Sequence, residues 1–218
     1  INPGNIGTEE RVSAVIKKAK DTGTALRIGV NSGSLPADIR NRMEQEIREG
    51  RNAEEARAAA LVAGAQREAA LFDKHGFTQY LVSMKASSVN ETVIANELFA
   101  AESAAPLYLG VTEAGPLVSG IVKSTLAFSK LLERNIGATV RVSLSDTMEN
   151  EVIAAREILT ECGKRKGGIR LVSCPRCGRN GFDVHGFVAR WQHRLFAEKK
   201  DLTVAVMGCV VNGPGEGK

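Results

Sequence analysis

Residues 80–111 read YLVSMKASSVNETVIANELFAAESAAPLYLGV, and this stretch decides the fold class. Its two ends, 80–84 and 107–111, are short runs rich in branched apolar residues, which is typical of buried parallel strands. The segment between them, 90–101, has the spacing of a helix. A strand, a helix and a second strand in this order predict a βαβ unit.

The same alternation extends along the chain in both directions. Other apolar runs predict further strands at 26–30, 139–144, 169–172 and 202–207. Segments with helical spacing lie between them, at 9–20, 36–74, 118–134, 149–162 and 187–198. Within the longest of these, we interpret 40–74 as two solvated helices broken near Gly50. The whole pattern predicts an α/β protein.

Composition and charge narrow the class of protein. The 218 residues are 43% hydrophobic and 25% charged, which is ordinary for a globular protein. The net charge of +4 comes from scattered basic residues, so an anionic small molecule explains it as well as nucleic acid does. No apolar run is long enough to span a bilayer and no leader is visible, so we expect a cytoplasmic or organellar protein. Four cysteines are too few for a disulfide scaffold.

A linker is predicted at 163–168, which reads GKRKGG and has no apolar period. Before it, residues 1–162 form a βα-repeat domain with polar residues after each strand. After it, residues 169–218 form a small β-α-β domain that carries three of the four cysteines.

The cysteines of this second domain form a candidate metal site. Cys174 and Cys177 make a Cys-x2-Cys pair directly after a predicted strand. By itself this pair fits a zinc knuckle or two unpaired thiols as well as a site for another metal. Cys209 follows the next strand, and Glu216 lies in the Gly- and Pro-containing loop after it. Three thiolates and one carboxylate are unusual for zinc. They suit an iron–sulfur cluster in which one iron can exchange its oxygen ligand for substrate.

Three other residues of metal-binding type stay outside this set. Cys162 ends a predicted helix and is interpreted as a buried thiol. His185 and His193 flank Trp191 on a helix, and we interpret them as surface or packing residues without a role assigned to them.

Polar side chains in the first domain form a second candidate site at the carboxyl ends of four strands, the edge where α/β proteins bind ligands. These residues are Arg27, Asn31, Lys85, Ser87, Thr112, Glu113, Arg141 and Ser143. For Ser87 and Thr112, capping of the next helix is an equal alternative. Two or three cations beside one carboxylate fit a phosphorylated substrate and a single acid/base group.

Four motifs carry a resemblance to a known family. They are INPGNIG at 1–7, RIGVNSGSL at 27–35, LGVTEAG at 109–115 and GCVVNGPGE at 208–216. Together they resemble the 4-hydroxy-3-methylbut-2-enyl diphosphate synthase family, also called IspG or GcpE. The ligand spacing Cys-x2-Cys-x31-Cys-x6-Glu follows the pattern of that family.

The resemblance implies a TIM-type barrel joined to a small iron–sulfur domain like that of sulfite reductases. It implies the conversion of 2-C-methyl-D-erythritol 2,4-cyclodiphosphate to 4-hydroxy-3-methylbut-2-enyl diphosphate in the non-mevalonate isoprenoid pathway. The electrons would come from reduced ferredoxin or flavodoxin. The family works as a head-to-tail homodimer in the bacterial cytoplasm or plastid stroma, and no nucleic-acid or membrane partner is expected.

The resemblance also assigns roles to matching residues of this sequence. The ligands of a [4Fe–4S] cluster would be Cys174, Cys177, Cys209 and Glu216. The contacts to the substrate would come from Arg27, Asn31, Lys85, Arg141 and Ser143, with Asn212 as the loop amide beside the cluster. Glu113 matches the barrel carboxylate that faces the cluster and would deliver a proton.

Only four strands are predicted in the first domain, whereas a full barrel has about eight. We therefore expect the C-terminal half of a barrel, without the family's N-terminal strands and without the short stretch after Glu216. Such a fragment would be neither active nor stable alone.

Two other classes of protein stay open. One is a zinc-stabilised nucleic-acid-binding module, but its interleaved aromatic and basic residues are missing from a chain with 5% aromatics. The other is a barrel enzyme without a cluster, whose terminal domain serves for assembly.

Overall fold

The computed structural model describes residues 1–175, 177–209 and 211. These divide into two compact units, with the first ending at Cys162 and the second beginning at Gly163. Among the described residues, no helix is both long and apolar enough to cross a membrane.

The first unit alternates helices with strands, so the predicted α/β class is confirmed. Its elements in chain order are α1 (Pro3–Ile6), α2 (Glu9–Thr22), β1 (Leu26–Asn31), a 3-10 turn (Ser32–Ser34), α3 (Ala37–Arg48), α4 (Ala53–Lys74), β2 (Tyr80–Lys85), α5 (Val89–Glu102), β3 (Tyr108–Leu109), α6 (Leu117–Glu133), β4 (Thr139–Val140) and α7 (Met148–Glu161).

The four strands of this unit are parallel and neighbour one another in chain order. β1 pairs with β2 along its whole length, from Leu26 opposite Tyr80 to Asn31 opposite Lys85. A single parallel bridge from Val82 then reaches the start of β3, and β3 pairs with β4. Across the described part of the chain these strands do not close into a ring.

β3 and β4 are shorter than the predicted strands 107–111 and 139–144. The amide of Arg141 still donates to the carbonyl of Leu109 at 2.9 Å, but the amide of Thr112 turns to the carbonyl of Ala86 at 3.1 Å. Beyond Leu109, β3 therefore keeps single hydrogen bonds to the chain on both sides and no regular ladder.

The outer edge of β1 is also occupied at one point. The amino nitrogen of Ile1 donates to the carbonyl of Arg27 at 2.6 Å, and the carbonyl of Ile1 accepts from the amide of Gly29 at 2.8 Å. Ile1 thus bonds the two residues on either side of Ile28, which is the pattern that a neighbouring parallel strand makes. This edge of the sheet is therefore shaped to accept a further parallel strand.

One face of the sheet packs under the helices and forms the core. Ile28 of β1 and Val82 and Met84 of β2 are fully buried on this face. Successive side chains of a strand point to opposite faces. The other face consequently carries Arg27, Gly29 and Asn31 of β1 beside Leu81, Ser83 and Lys85 of β2.

The predicted break near Gly50 is confirmed, but the expectation of two solvated helices is wrong for α4. Gly50 has a φ of 98°, and the side chain of Asn52 caps α4 by accepting from the amides of Glu54 and Glu55. Burial along α4 is extensive: Ala58, Leu61, Ala65 and Phe72 are fully buried. The alanines conceal this burial in the sequence because they are small, and small side chains let the helix approach the sheet closely.

The backbone on both sides of Lys85 is held by two fully buried polar side chains of α5. The hydroxyl of Thr92 bonds both the amide and the carbonyl of Ala86, at 3.3 and 3.2 Å. The amide group of Asn96 donates to the carbonyl of Met84 at 3.3 Å. The position of Lys85 is thus fixed by the helix that follows its strand.

We expect Thr92→Val to destabilise the first unit by about 2 kcal/mol, because the buried amide of Ala86 loses its hydrogen bond. The measurement is the thermal unfolding midpoint of the full-length protein. Thr125→Val is the matched control, since the hydroxyl of Thr125 only bonds the carbonyl of Ile121 within its own helix. Equal midpoints for the two variants would contradict this account.

The second unit is a parallel β-α-β arrangement of β5 (Ile169–Ser173), α8 (Val184–Ala197) and β6 (Leu202–Val206). Its strands pair from Ile169 opposite Leu202 to Ser173 opposite Val206. α8 begins three residues before the predicted start because the side chain of Asp183 accepts from the amide of Gly186 at 3.1 Å and caps the helix there.

Candidate anion site and candidate metal ligands

Two predicted cations of the first unit contact one aromatic ring, and a third follows the neighbouring strand. The guanidinium carbon of Arg27 is 4.6 Å from the ring centroid of Tyr108, and Nζ of Lys85 is 4.7 Å from it. Arg141 follows β4, which is the neighbour of the strand that carries Tyr108. The structure therefore brings together charges that are more than 100 positions apart in the sequence.

The charges of the other two cations affect the pKa of Lys85. Burial, followed by the charges of Arg27 and Arg141, lowers the pKa of Lys85 to about 8, while the charge of Glu151 acts in the opposite direction. Its side chain passes over Gly110, where a Cβ atom would lie 2.8 Å from Cε of Lys85. The missing side chain at Gly110 thus leaves the path that the ammonium group needs.

Glu151 of α7 supplies the counter-charge at the far end of this cluster. One of its oxygens lies 3.6 Å from the guanidinium of Arg141, and the other accepts from the amide of Leu144 at 2.9 Å. Three cations and this single carboxylate leave the cluster with excess positive charge. Such a site is suited to phosphoryl oxygens.

Neither Tyr108 nor Glu151 is among the site residues predicted from the sequence. Tyr108 lies two residues before Gly110, on the same side of β3, so the alternation of a strand could have revealed it. Glu151 gives no comparable signal, because it lies among other acidic residues in the first turn of α7.

Asn31 and Ser143 are both predicted to contact substrate. Asn31 is the last residue of β1, and Ser143 follows β4. The side-chain oxygen of Asn31 accepts from the amide of Ser34 at 3.1 Å, and the hydroxyl of Ser34 accepts from the amide of Asn31 at 3.2 Å. Asn31 therefore shapes the 3-10 turn after β1. Ser143 is half-buried in the loop after β4.

The alternative role of Ser87 and Thr112 as helix caps is wrong. α5 is capped by the neighbouring residue Ser88, whose hydroxyl accepts from the amide of Glu91, and α6 begins after Pro116. Ser87 is exposed, and Thr112 is half-buried three residues after the end of β3.

Glu113 is exposed in the β3–α6 loop, and its φ of 52° lies in the left-handed region. This conformation is uncommon for a residue with a side chain and costs of the order of 1 kcal/mol or more. Such strain is concentrated at ligand sites, where the direction of a side chain matters more than local stability. The backbone thus gives a reason to retain Glu113 as a functional candidate.

In the second unit, two cysteines lie at the same edge of the β5–β6 pair. Cys174 follows β5 directly, and its Sγ accepts a hydrogen bond from the amide of Gly208 at 3.2 Å. Cys209 is the next residue after that glycine and is partly buried, while Cys177 is exposed. A second bond, from the amide of Gly181 to the carbonyl of Gly208 at 2.8 Å, ties the two loops together.

These residues fit a metal–sulfur centre by their chemistry. All three are thiols rather than disulfides, and an N–H···S bond stabilises a thiolate and tunes a cluster bound to it. Within 1–175, 177–209 and 211, however, no three Cys, His, Asp or Glu side chains are grouped closely enough to hold a metal ion. Glu216 and Asn212, predicted as ligand and loop amide, lie outside the described residues.

The other cysteine and the two histidines considered above, Cys162, His185 and His193, do not form a group of metal ligands with these thiols in the part of the chain that the structure describes. Cys162 is half-buried and packs against the core of the first unit. His185 and His193 are exposed on α8. His185 borders a cavity of about 430 Å³ along α8 that Cys174 also lines.

The fold and these side chains define a class of protein: a parallel α/β domain with a cationic site, followed by a small thiol-bearing α/β domain. The chain belongs to the GcpE family. Residues 1–156 match the GcpE TIM-barrel domain, and residues 170–218 match the GcpE protein C-terminal domain. The resemblance seen in the sequence motifs is thereby confirmed.

Several curated proteins named 4-hydroxy-3-methylbut-2-en-1-yl diphosphate synthase (flavodoxin) are similar to the whole of this chain. The protein of Treponema pallidum is 70% identical to it, that of Treponema denticola 63% and that of Aquifex aeolicus 45%. The matches cover 54%, 59% and 58% of these proteins. The chain thus spans little more than half the length of the relatives it matches.

Proposed function

We propose that the chain is part of an oxidoreductase that converts 2-C-methyl-D-erythritol 2,4-cyclodiphosphate to 4-hydroxy-3-methylbut-2-enyl diphosphate in the non-mevalonate isoprenoid pathway. The observation that carries the proposal is the gathering of Arg27 and Lys85 on the ring of Tyr108, near Arg141. The names of the relatives add the reaction and the electron donor, flavodoxin.

The proposed reaction defines what the protein must provide. Two carbon–oxygen bonds break and one carbon–carbon double bond forms. Counting the acids in their neutral forms, two electrons and two protons are taken up and one oxygen leaves as water. The protein must therefore bind a doubly phosphorylated ring, receive electrons and deliver protons.

In this proposal, the first unit binds the substrate and delivers protons. Arg27, Lys85 and Arg141 bind the diphosphate through charge-assisted hydrogen bonds. Fixing the anionic end limits the motion of the carbon skeleton, which lowers the entropic cost of reaction. Glu113, directed by its left-handed backbone, delivers a proton to the departing oxygen. Asn31 and Ser143 complete the binding edge.

Electron delivery falls to the second unit. We propose that Cys174, Cys177, Cys209 and Glu216 hold a [4Fe–4S] cluster, with Asn212 beside it. Such a group supplies single electrons and a Lewis-acidic iron when it is bound. Reduced flavodoxin is the electron donor that the relatives' names support, and ferredoxin is the alternative.

The four parallel strands form the C-terminal half of a TIM-type barrel in this proposal. Residues 1–162 are the partial barrel, 163–168 the linker and 169–218 the cluster domain. The parallel bonds that Ile1 makes at the edge of β1 support this arrangement, because a complete barrel would place another parallel strand there. A homodimer in the cytoplasm completes the proposal.

The test is to prepare the full-length protein without oxygen and to measure iron, sulfide and zinc. We expect iron and sulfide in equal amounts and turnover of the cyclic diphosphate with a reductant. A colourless protein that contains zinc and lacks sulfide would instead support a zinc-stabilised binding module.

The pKa of Lys85 predicts how anion binding depends on pH. Because that pKa is lowered to about 8, the ammonium charge is present at pH 7 and is lost as the pH rises through 8. We expect the affinity for pyrophosphate to fall up to about tenfold between pH 7 and pH 9. Titration calorimetry of the full-length protein measures this affinity.

Lys85→Arg is the matched control, since arginine stays charged over this range. Pyrophosphate itself titrates nearby, so the quantity to compare is the ratio of the two affinities at each pH. A ratio that does not change from pH 7 to pH 9 would show that Lys85 does not titrate there.

A further inference from the structure

Tyr108 is an unassigned residue at the centre of the cationic cluster. Its ring is contacted by the cations of two different strands, Arg27 of β1 and Lys85 of β2, at 4.6 and 4.7 Å from the centroid. Both distances are within the range in which the π-electron face of an aromatic ring attracts a cation. One side chain therefore connects two cations of the proposed diphosphate site.

The cluster needs such a partner because its cations repel one another. At separations of a few ångströms, like charges in a partly buried site raise each other's energy by of the order of 1 kcal/mol or more. Burial, and after it this repulsion, lowers the pKa of Lys85. Glu151 compensates Arg141 at one end, at 3.6 Å.

An aromatic ring compensates cations in a different way from a carboxylate. A carboxylate beside Arg27 and Lys85 would hold them, but it would also cancel the positive charge that an anion requires. The ring attracts each cation through its quadrupole and carries no net charge. The cations are thus kept in place and remain available to a ligand.

The neighbouring strand positions leave room for this arrangement. Leu107 is opposite Val82, so Ser83 lies beside Tyr108 on the same face, and Gly29 is opposite Ser83. Both neighbours are small. Long side chains such as Arg27 can therefore extend across the strands and reach the ring.

We propose that Tyr108 is a positioning residue of the anion site, whose ring holds Arg27 and Lys85 so that both contact the same diphosphate group. This inference rests on the proposed function, because it concerns the same site. It adds a determinant of ligand choice. Two cations that are fixed together favour a ligand with two phosphoryl groups over a single phosphate, since less side-chain entropy is lost on binding.

The test changes the quadrupole of the ring and keeps its shape. In the full-length protein, Tyr108→Phe keeps the attraction, whereas Tyr108→pentafluorophenylalanine removes it in a side chain of nearly the same size. Affinities for pyrophosphate and for inorganic phosphate are measured by titration calorimetry. We expect Tyr108→Phe to bind pyrophosphate within about twofold of the unchanged protein.

For Tyr108→pentafluorophenylalanine we expect pyrophosphate binding to weaken by about five- to thirtyfold, which corresponds to two cation–π contacts. Phosphate binding should weaken less, so the preference for pyrophosphate falls. A purely structural role of the ring would leave this preference unchanged, because both substitutions fill the same space.

Two different failures can be told apart. If the unchanged protein binds pyrophosphate and both substituted proteins bind it equally well, the role of Tyr108 is refuted and the diphosphate site stands. If the unchanged protein does not bind pyrophosphate, the proposed function loses its site and the inference is overturned with it.

Discussion

Glu113→Gln should lower turnover of the full-length protein by about a hundredfold or more and leave its thermal stability unchanged. The loss follows from the proposed role of Glu113 as proton donor, since a positioned acid contributes of the order of 100- to 10,000-fold to a rate. Glutamine keeps the size of the side chain and meets the same backbone strain at a φ of 52°. The change therefore removes the proton and little else.

The control for this experiment is Glu149→Gln, which removes an exposed carboxylate from the first turn of α7. We expect its turnover to match that of the unchanged protein. Turnover is measured on anaerobically prepared protein, with the iron and sulfide content checked in parallel. If Glu113→Gln retains full turnover and an intact metal content, Glu113 has no part in the proton transfer.

Cys177→Ala should lower the iron and sulfide content of the full-length protein by about tenfold or more, because the proposed cluster would lose one of its three thiolate ligands. Cys177 is exposed, so removing its sulfur leaves no cavity in the core. Loss of metal in this variant would therefore report ligation and not unfolding.

Cys162→Ala provides the comparison. Cys162 is half-buried in the first unit and packs against its core, so this change should retain iron and sulfide and cost at most a small amount of stability. Equal metal contents in the two variants would remove Cys177 from the ligand set. Both contents are measured on protein purified without oxygen.

The order of strands and helices could be predicted from the sequence because each run is long enough to show its period. The break between α3 and α4 was visible because a glycine, Gly50, interrupts the helical segment. The burial of α4 was not visible, since alanines give a weak hydrophobic signal whether they face the sheet or solvent. The early end of β3 depends on where its pairing with β4 stops, and no local pattern encodes the register of two strands that are far apart in the chain.

The candidate site, like the fold, could be predicted only in part. Lys85 and Arg141 could be predicted because charges at the carboxyl ends of strands are conspicuous in an apolar context. The predicted place of Arg27 at such an end is wrong, because Arg27 is the second residue of β1. The gathering of Arg27 and Lys85 on Tyr108 depends on the register of three strands, which the sequence does not give. For the thiols, the spacing of Cys174 and Cys209 can be read from the sequence. It does not show that the amide of Gly208 bonds the sulfur of Cys174.

The empty position above Gly110 has an implication for how the site can evolve. One methyl group there would meet Cε of Lys85 at 2.8 Å and the carbonyl of Arg141 at 3.2 Å. A single-step change to alanine would therefore displace the ammonium group while every charged residue stayed in the gene. A heritable loss of anion binding at the proposed site can therefore arise without a change in any of its charged residues.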